Sequence, residues 1–260
     1  MANAFIRPYL AIARRSILGT ARQPAAIVPS LTFPLIFLAL SSAALGRATQ
    51  LPGFPEVDSF MQFGLAASIV QGVLFGAVAA GTDMARDVEN GFFERLIASP
   101  VSRNSLIVGR LTGSALLGFL QAWFFFGVAM LFGADVLGGF PGMVSISIVC
   151  AVLAAGIGGV TVAMALKTGS SEAVQGSFPL IFSLLFLSSA FFPRALMNGW
   201  FKSAATINPL SHLIEGNRTQ IITGLDGGQF LIALGIAAGV FVVGLTLARL
   251  ALRGRLVAAS

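Results

Sequence analysis

Few residue pairs in this chain are of types that do chemistry, and most of those fail on spacing. Lys167-Thr168 and Lys202-Ser203 each set a lysine before a hydroxyl, as a phosphate-cradling G-x-x-x-x-G-K-[ST] loop does. The glycines such a loop needs are replaced by Thr161 and Leu166 in one case and by Leu196 and Phe201 in the other, so no nucleotide cradle is expected. One histidine, His212, and one cysteine, Cys150, exclude an internal disulfide and any site built from two imidazoles of one chain. His212 and Glu215, three apart, would share a helix face and pair, which falls short of a metal site. Asn217-Arg218-Thr219 matches the N-glycosylation pattern, a weak three-residue signal. Neither catalysis nor ATP hydrolysis is expected of this chain.

Charge gathers in one place instead. Gly81 to Arg110 reads GTDMARDVENGFFERLIASPVSRNSLIVGR and holds Asp83, Asp87, Glu89 and Glu94. On an unbroken helix Asp83, Asp87 and Glu94 would fall within about 40°, with Phe92, Phe93, Leu96 and Ile97 on the flank. Gly91 is where that helix would break, and Pro100 should stop it near Ser99. An acidic amphipathic segment suits a groove on a soluble partner. The rival, lying on lipid, sets its acids against anionic headgroups.

The elements that must hold this segment follow from composition. With 56% apolar and only 10% charged residues, a mean hydropathy of +0.90 and 260 residues, the chain cannot cover a water-facing surface. So few charges also exclude the dense cationic face of a nucleic-acid binder. Six runs free of Asp, Glu, Lys and Arg are near bilayer length: Ile27 to Ala44, Phe60 to Ala80, Leu111 to Phe132, Met143 to Leu166, Ser177 to Phe192 and Phe230 to Ala248. They lack strand alternation, so an all-α polytopic membrane protein with six transmembrane helices is expected, as one domain over 1–260. Pro29 and Pro34 predict a kink in the first run. The 26-residue leader before it and those prolines argue against a cleaved signal.

An even span count puts both termini on one side. If that side is cytoplasmic, twelve basic residues lie inside and four outside, giving net charges of +7 and −1. That satisfies the positive-inside rule, and the opposite orientation violates it. Before the first span, over 1–26, Arg7, Arg14, Arg15 and Arg22 would share roughly a 100° arc opposite Phe5, Tyr9 and Ile12, as in an interfacial helix whose arginines meet headgroups. The external segment 193–228 is too long for a turn, and Asn208-Pro209 should separate its parts.

Small residues recur every fourth position, as Gly64, Ser68, Gly72, Gly76 and Ala80, and as Ser147, Ala151, Ala155, Gly159 and Ala163. Shorter pairs are Gly109 with Gly113 and Gly235 with Gly239. Such stripes predict close helix packing, with a substrate groove as the alternative. Gln62, Gln71 and Gln121 suit interhelical hydrogen bonds or a pathway. No ionisable group lies inside the runs, so ion-coupled transport has no carrier. Uphill movement would need energy from another chain.

Two separated motifs carry a resemblance. The cytoplasmic one is Asp87, Glu89, Gly91, Glu94-Arg95-Leu96 and Ser99-Pro100-Val101-Ser102-Arg103, followed by Gly109-Arg110. The external one is Phe191-Phe192-Pro193, then Gly199-Trp200 and Asn208-Pro209-Leu210, with Asn198 where a proline is common. With the span pattern, the chain resembles the ABC-2 family of transporter permeases, particularly daunorubicin-resistance-type exporters.

The resemblance implies an ABC exporter in which two permease copies, identical or paralogous, sit in a bacterial plasma membrane over two ATP-binding subunits. ATP and Mg would sit on those partners and no cofactor on this chain. It implies that 81–110, through Asp87, Glu89, Gly91, Glu94, Arg95, Leu96, Pro100 and Arg103, couples to the ATPase. It also implies re-entrant helices in 193–228, with Phe192, Pro193, Trp200, Asn208 and Pro209 at an external gate. Gln71, Phe33, Phe37, Phe182 and Phe186 are the guess for pathway walls. Phenylalanine supplies 23 of the 26 aromatic residues, which suits apolar or amphipathic cargo, a drug or lipid, better than a lipid-linked polysaccharide. A passive channel or membrane scaffold is the reading from another class.

Overall fold

The computed structural model describes residues 2–21, 24–98 and 102–258, and every regular element among them is helical. The first half holds α1 (Ala2–Ala21), α2 (Pro24–Leu45), a 3₁₀ turn at Gly46–Gln50, α3 (Phe60–Glu89), α4 (Phe92–Ala98), α5 (Arg103–Leu131) and α6 (Gly139–Thr168). After these come α7 (Ser171–Gly176), α8 (Phe178–Phe186), a 3₁₀ turn at Arg194–Leu196, α9 (Gly199–Ile207), α10 (Pro209–Ile222) and α11 (Gly227–Ala258). Five helices are long and apolar enough to cross a membrane: α2 from Ile27, α3, α5, α6 and α11. α2 runs unbroken through Pro29 and Pro34. Pro34 has no N–H for the Ser30 carbonyl, and that carbonyl faces Gly72 of α3, where a Cβ would come within 3.0 Å.

The fifth expected span, Ser177 to Phe192, is not one helix. Pro179 cannot donate to the carbonyl four residues before it, so α7 ends at Gly176 and α8 starts afresh beyond Ser177. α8 lasts nine residues, about 14 Å, roughly half a hydrocarbon core. Ser188 then turns its hydroxyl onto the Leu185 carbonyl, offering the backbone a partner outside a helix. The segment 81–110 also differs. α3 continues about two and a half turns past its apolar stretch to Glu89, and the helix breaks at Gly91, whose φ of +64° suits glycine. Asp83 and Asp87 therefore sit on α3 and Glu94 on α4, not on one face.

α3 is the hub, buried along most of its length between α2, α5, α6 and α10. Its small residues do pack: a Cβ on Gly81 would meet Thr161 of α6 at 2.5 Å, and one on Gly76 would meet Gln121 of α5 at 2.7 Å. α6 and α11 approach closest, since a Cβ on Gly244 would lie 2.0 Å from the Gly156 carbonyl oxygen. Gly235 and Gly239, expected to pack, have nothing within 4 Å of a built Cβ.

α1 packs on protein rather than resting only on lipid. Gly109 and Gly113 let Ile12 and Ser16 approach α5, Tyr9 Oη lies 3.1 Å from Thr112 Oγ1, and Ser16 donates to the Arg110 carbonyl at 3.0 Å. Of its basic arc, Arg14 and Arg15 are both exposed, and Arg15 reaches the Asp87 carboxylate. Arg22, like Pro100, falls outside the described residues.

Candidate functional site

At the end carrying both helix termini α1 and α11, a joint of ion pairs holds α4. Asp87 accepts from Arg15 through both oxygens, at 2.7 and 3.1 Å, and also from Arg110 of α5. One carboxylate thus ties α1, α3 and α5 together. Glu89 accepts the Ser171 N–H at 2.6 Å and its hydroxyl at 3.3 Å, fixing the start of α7. Glu94 meets Arg255 of α11 at 3.3 Å, and Arg255 also donates to the Leu166 carbonyl at the end of α6. Phe93 is buried, while Phe92 lies under the Arg15 guanidinium at 3.9 Å.

The structure therefore brings Asp87, Glu89, Gly91 and Glu94 into one joint. Leu96 is half-buried, and Arg95 and Arg103 face outward. Most of the acid is already paired inside the chain. The outward surface of α4 is Arg95 with Glu94, whose side chain is 53% exposed.

Beside this joint opens a groove of about 940 Å³ between α2, α3 and the α7–α8 segment. Phe33, Phe75, Phe178 and Phe182 form its wall, and Thr82, Arg86 and Gln175 stand at its charged end. The rings touch one another: Phe75 and Phe178 are 4.5 Å apart, Phe33 and Phe182 5.9 Å. The file continues beyond the groove through Phe186 and Phe37 to Phe191, with Phe182 to Phe186 at 4.8 Å. Phe33, Phe37, Phe182 and Phe186 thus come together as expected, and Gln71 does not join them. It is buried in the hub, and its Nε2 has no partner there. Gln121 takes the interhelical role, donating to the Ser30 hydroxyl of α2, whereas Gln62 donates to the Asp135 carbonyl in the connection between α5 and α6.

Phe75, Arg86 and Gln175 were missed. The sequence carries a signal for two of them, because Phe75, Val78, Ala79, Thr82 and Arg86 recur at the spacing of one helix face. α8 repeats phenylalanine at Phe178, Phe182 and Phe186 in the same way.

At the opposite end the non-helical stretch after α8 is held by donors from α10. Asn208 caps α10 by accepting the Leu210 N–H at 2.9 Å, and its amide donates to the carbonyls of Leu184 at 2.7 Å and Leu187 at 3.0 Å. Pro209 takes the first helical position, where no N–H is needed. Ser211 Oγ accepts the Ser189 N–H at 3.0 Å. Arg218 is 5% exposed and donates to the carbonyls of Phe63, Ser189 and Ala190 at 3.1, 3.0 and 3.1 Å, with its guanidinium 3.8 Å from the centre of the Phe63 ring. Burial pushes its pKa down to about 10, partly offset by Glu215, so it stays cationic at neutral pH.

Several expectations change here. Glu215 pairs with Arg194, and His212 Nε2 lies 2.8 Å from the Thr206 carbonyl, so His212 and Glu215 do not pair. Asn217 is 1% exposed and cannot take a glycan in this fold. Pro193 is buried, while Phe192 and Trp200 are exposed, Trp200 by 75%. Asn208 is more than a turn residue, and Arg218, counted from sequence as an external charge, is the buried centre of the clamp.

A helical bundle with long apolar helices, a charged joint at one end and a carbonyl clamp at the other is a multi-pass membrane protein. The chain belongs to the ABC-2 type transporter family, whose model matches residues 7–222. It is similar to the daunorubicin resistance ABC transporter permease protein DrrB1 of Streptomyces coeruleorubidus, 28% identical over 216 residues, 82% of this chain and 74% of that protein. The "Putative transport permease ycf38" of Porphyra purpurea is 28% identical over 212 residues, 80% and 72% of the two chains. The "Probable doxorubicin resistance ABC transporter permease protein DrrC" of Mycobacterium tuberculosis strain H37Rv is 23% identical over 247 residues, 93% and 87% of the two chains. The chain is thus an ABC transporter permease subunit, and the family carries with it an ATP-binding partner.

Proposed function

We propose that this permease moves apolar or amphipathic small molecules, a drug or a lipid, out of the cytoplasm or inner leaflet of a bacterial plasma membrane, driven by ATP hydrolysed on the partner subunit. The observation that carries this reading is the aromatic groove, because a wall of four phenylalanines beside an exposed charged rim matches a cargo with an apolar body. In this reading two permease copies face each other over two ATP-binding subunits, and both termini are cytoplasmic. α7, α8 and the stretch after them complete a sixth crossing, and α9 and α10 dip into the outer leaflet as re-entrant helices. The α4 joint is the coupling surface. Asp87, Glu89 and Gly91 set its position, Glu94, Arg95, Leu96, Pro100 and Arg103 meet the ATPase, and Phe192, Pro193, Trp200, Asn208 and Pro209 form the external gate.

The test is co-purification with the ATP-binding subunit, followed by ATPase and efflux assays in lipid vesicles with daunorubicin and with a fluorescent phospholipid. ATP-dependent movement of either cargo supports the reading. Stable assembly with hydrolysis that no apolar or amphipathic cargo alters, and with no efflux, overturns it.

A further inference from the structure

We infer that Arg249 and Arg253, on the outward face of α11, seat the headgroup of an anionic phospholipid whose acyl chains lie along Val242, Val243 and Leu247. The aromatic groove lies between α2, α3 and the α7–α8 segment, whereas α11 packs on α6 and α10. The lipid site is therefore separate from the groove and independent of what the groove carries.

α11 sorts its three arginines by face. Arg255 turns inward, to Glu94 and to the Leu166 carbonyl. At about 100° per residue Arg253 lies about 160° around the helix from Arg255, and Arg249 about 120°. Both are exposed. Four residues apart, they fall within about 40° of each other and about 6 Å along the axis. Neither has a hydrogen-bond or ion-pair partner among the described residues. The acids of this end are committed elsewhere: Asp87 to Arg15 and Arg110, Glu89 to Ser171, Glu94 to Arg255, and Asp83 beside Arg86. Glu172 stands on α7, whose neighbours are α3, α6 and α8.

Apolar surface surrounds the pair. Val242, Val243 and Leu247 are exposed before it, Leu250 within it and Val257 beyond it. Val257 comes eight residues after Arg249, so the outward apolar surface runs on for about 12 Å past the first arginine. A cation set into such a surface is costly unless an anion meets it. The helix macrodipole does not account for both arginines, because its effect fades within the last turn and Arg249 is nine residues before Ala258. Two guanidinium forks one turn apart, with their stems laid along acyl chains, fit a lipid phosphate, and two unanswered positive charges favour a headgroup of net negative charge. A second copy of this chain does not suit the face, since an isologous contact through it would bring four arginines together.

The test uses the complex with its ATP-binding subunit, stripped of lipid in detergent and titrated with equal amounts of phosphatidylglycerol and phosphatidylcholine that share the same acyl chains. Native mass spectrometry counts the lipids retained. The unsubstituted complex should keep one phosphatidylglycerol per permease copy about thirtyfold more readily than phosphatidylcholine, about fivefold for each arginine. Arg249→Gln or Arg253→Gln should each lower that preference about fivefold, and the two together should abolish it. Arg249→Lys with Arg253→Lys should preserve it. Arg14→Gln, which removes an exposed cation of α1 at the same end, should leave it unaltered.

Equal retention of the two lipids by the unsubstituted complex overturns the inference, and so does a preference that survives the double glutamine substitution or that Arg14→Gln also abolishes. Release of the ATP-binding subunit from a double variant whose melting is unchanged overturns it too, since the pair then holds a protein. The two single variants carry the test if the double variant does not fold.

Discussion

The two ends of the bundle hold a short or broken helix by opposite means. At the α4 end the fasteners are ion pairs: a largely buried one, Arg110 on Asp87, and two with a half-exposed partner, Arg15 on Asp87 and Arg255 on Glu94. At the α10 end they are donors buried against carbonyls, Arg218 on Ser189 and Ala190 and Asn208 on Leu184 and Leu187. Water and salt can replace an exposed ion pair at small cost, whereas carbonyls released in an apolar interior find no substitute. The comparison teaches that the exposed pairs of the charged end are built to exchange partners, while its buried Asp87–Arg110 pair and the carbonyl end keep theirs. It also explains how a non-helical stretch survives beside apolar helices, since such backbone is tolerated where protein satisfies it.

The largest effect that would break this contrast belongs to Arg218. Arg218→Met should lower stability by about 3 kcal/mol or more, because at least two buried carbonyls lose their donors, read as a fall in the thermal midpoint in detergent. A midpoint unchanged within a degree would remove the clamp from the account. Asn208→Ala should follow at about 2 kcal/mol, combining a lost cap with two released carbonyls. Both losses should be the same in low and high salt.

At the other end Arg15→Gln, which removes the 50% exposed partner and leaves Asp87 with Arg110, should cost about 1 kcal/mol, and the difference from the unsubstituted protein should shrink as sodium chloride rises from about 0.1 to 1 M, since salt screens exposed pairs. A salt-independent loss would mean that the two ends are not different in kind. Smallest in stability is Glu94→Lys, expected within about 0.5 kcal/mol by melting. Its effect should fall on ATPase coupling instead, and unaltered assembly and cargo-stimulated hydrolysis would show that α4 is not the coupling surface.

Hydropathy made most of the bundle legible. Charge-free runs located α2, α3, α5, α6 and α11, and Asn208-Pro209 marked the junction of α9 and α10. The same measure hid the break after α8, because Ser177 to Phe192 is apolar throughout and hydropathy does not register which backbone groups find partners. Arg218 shows a related limit: a charge outside a span counts toward topology only, while its burial depends on carbonyls 28 and 29 residues away. Amphipathicity marked α1 as two-faced but not its contacts with protein, since an arginine arc does not distinguish a headgroup from the Asp87 that Arg15 meets. Half of the groove wall was guessed from Phe33 and Phe182. Its charged rim was missed because Arg86 and Gln175 belong to segments that only the fold brings together.

Gly156 and Gly244 add a mechanical consequence. Where a single methyl on Gly244 would strike the Gly156 carbonyl at 2.0 Å, α6 and α11 mesh at the level of the backbone and cannot slide past each other without separating. They behave as a stator. α2 and α8 meet instead through phenylalanine rings, such as Phe37 and Phe186 at 6.3 Å, whose tilts change with little loss of contact. Any rocking of this bundle therefore pivots on the α6–α11 side and spends its travel on the ring-faced side.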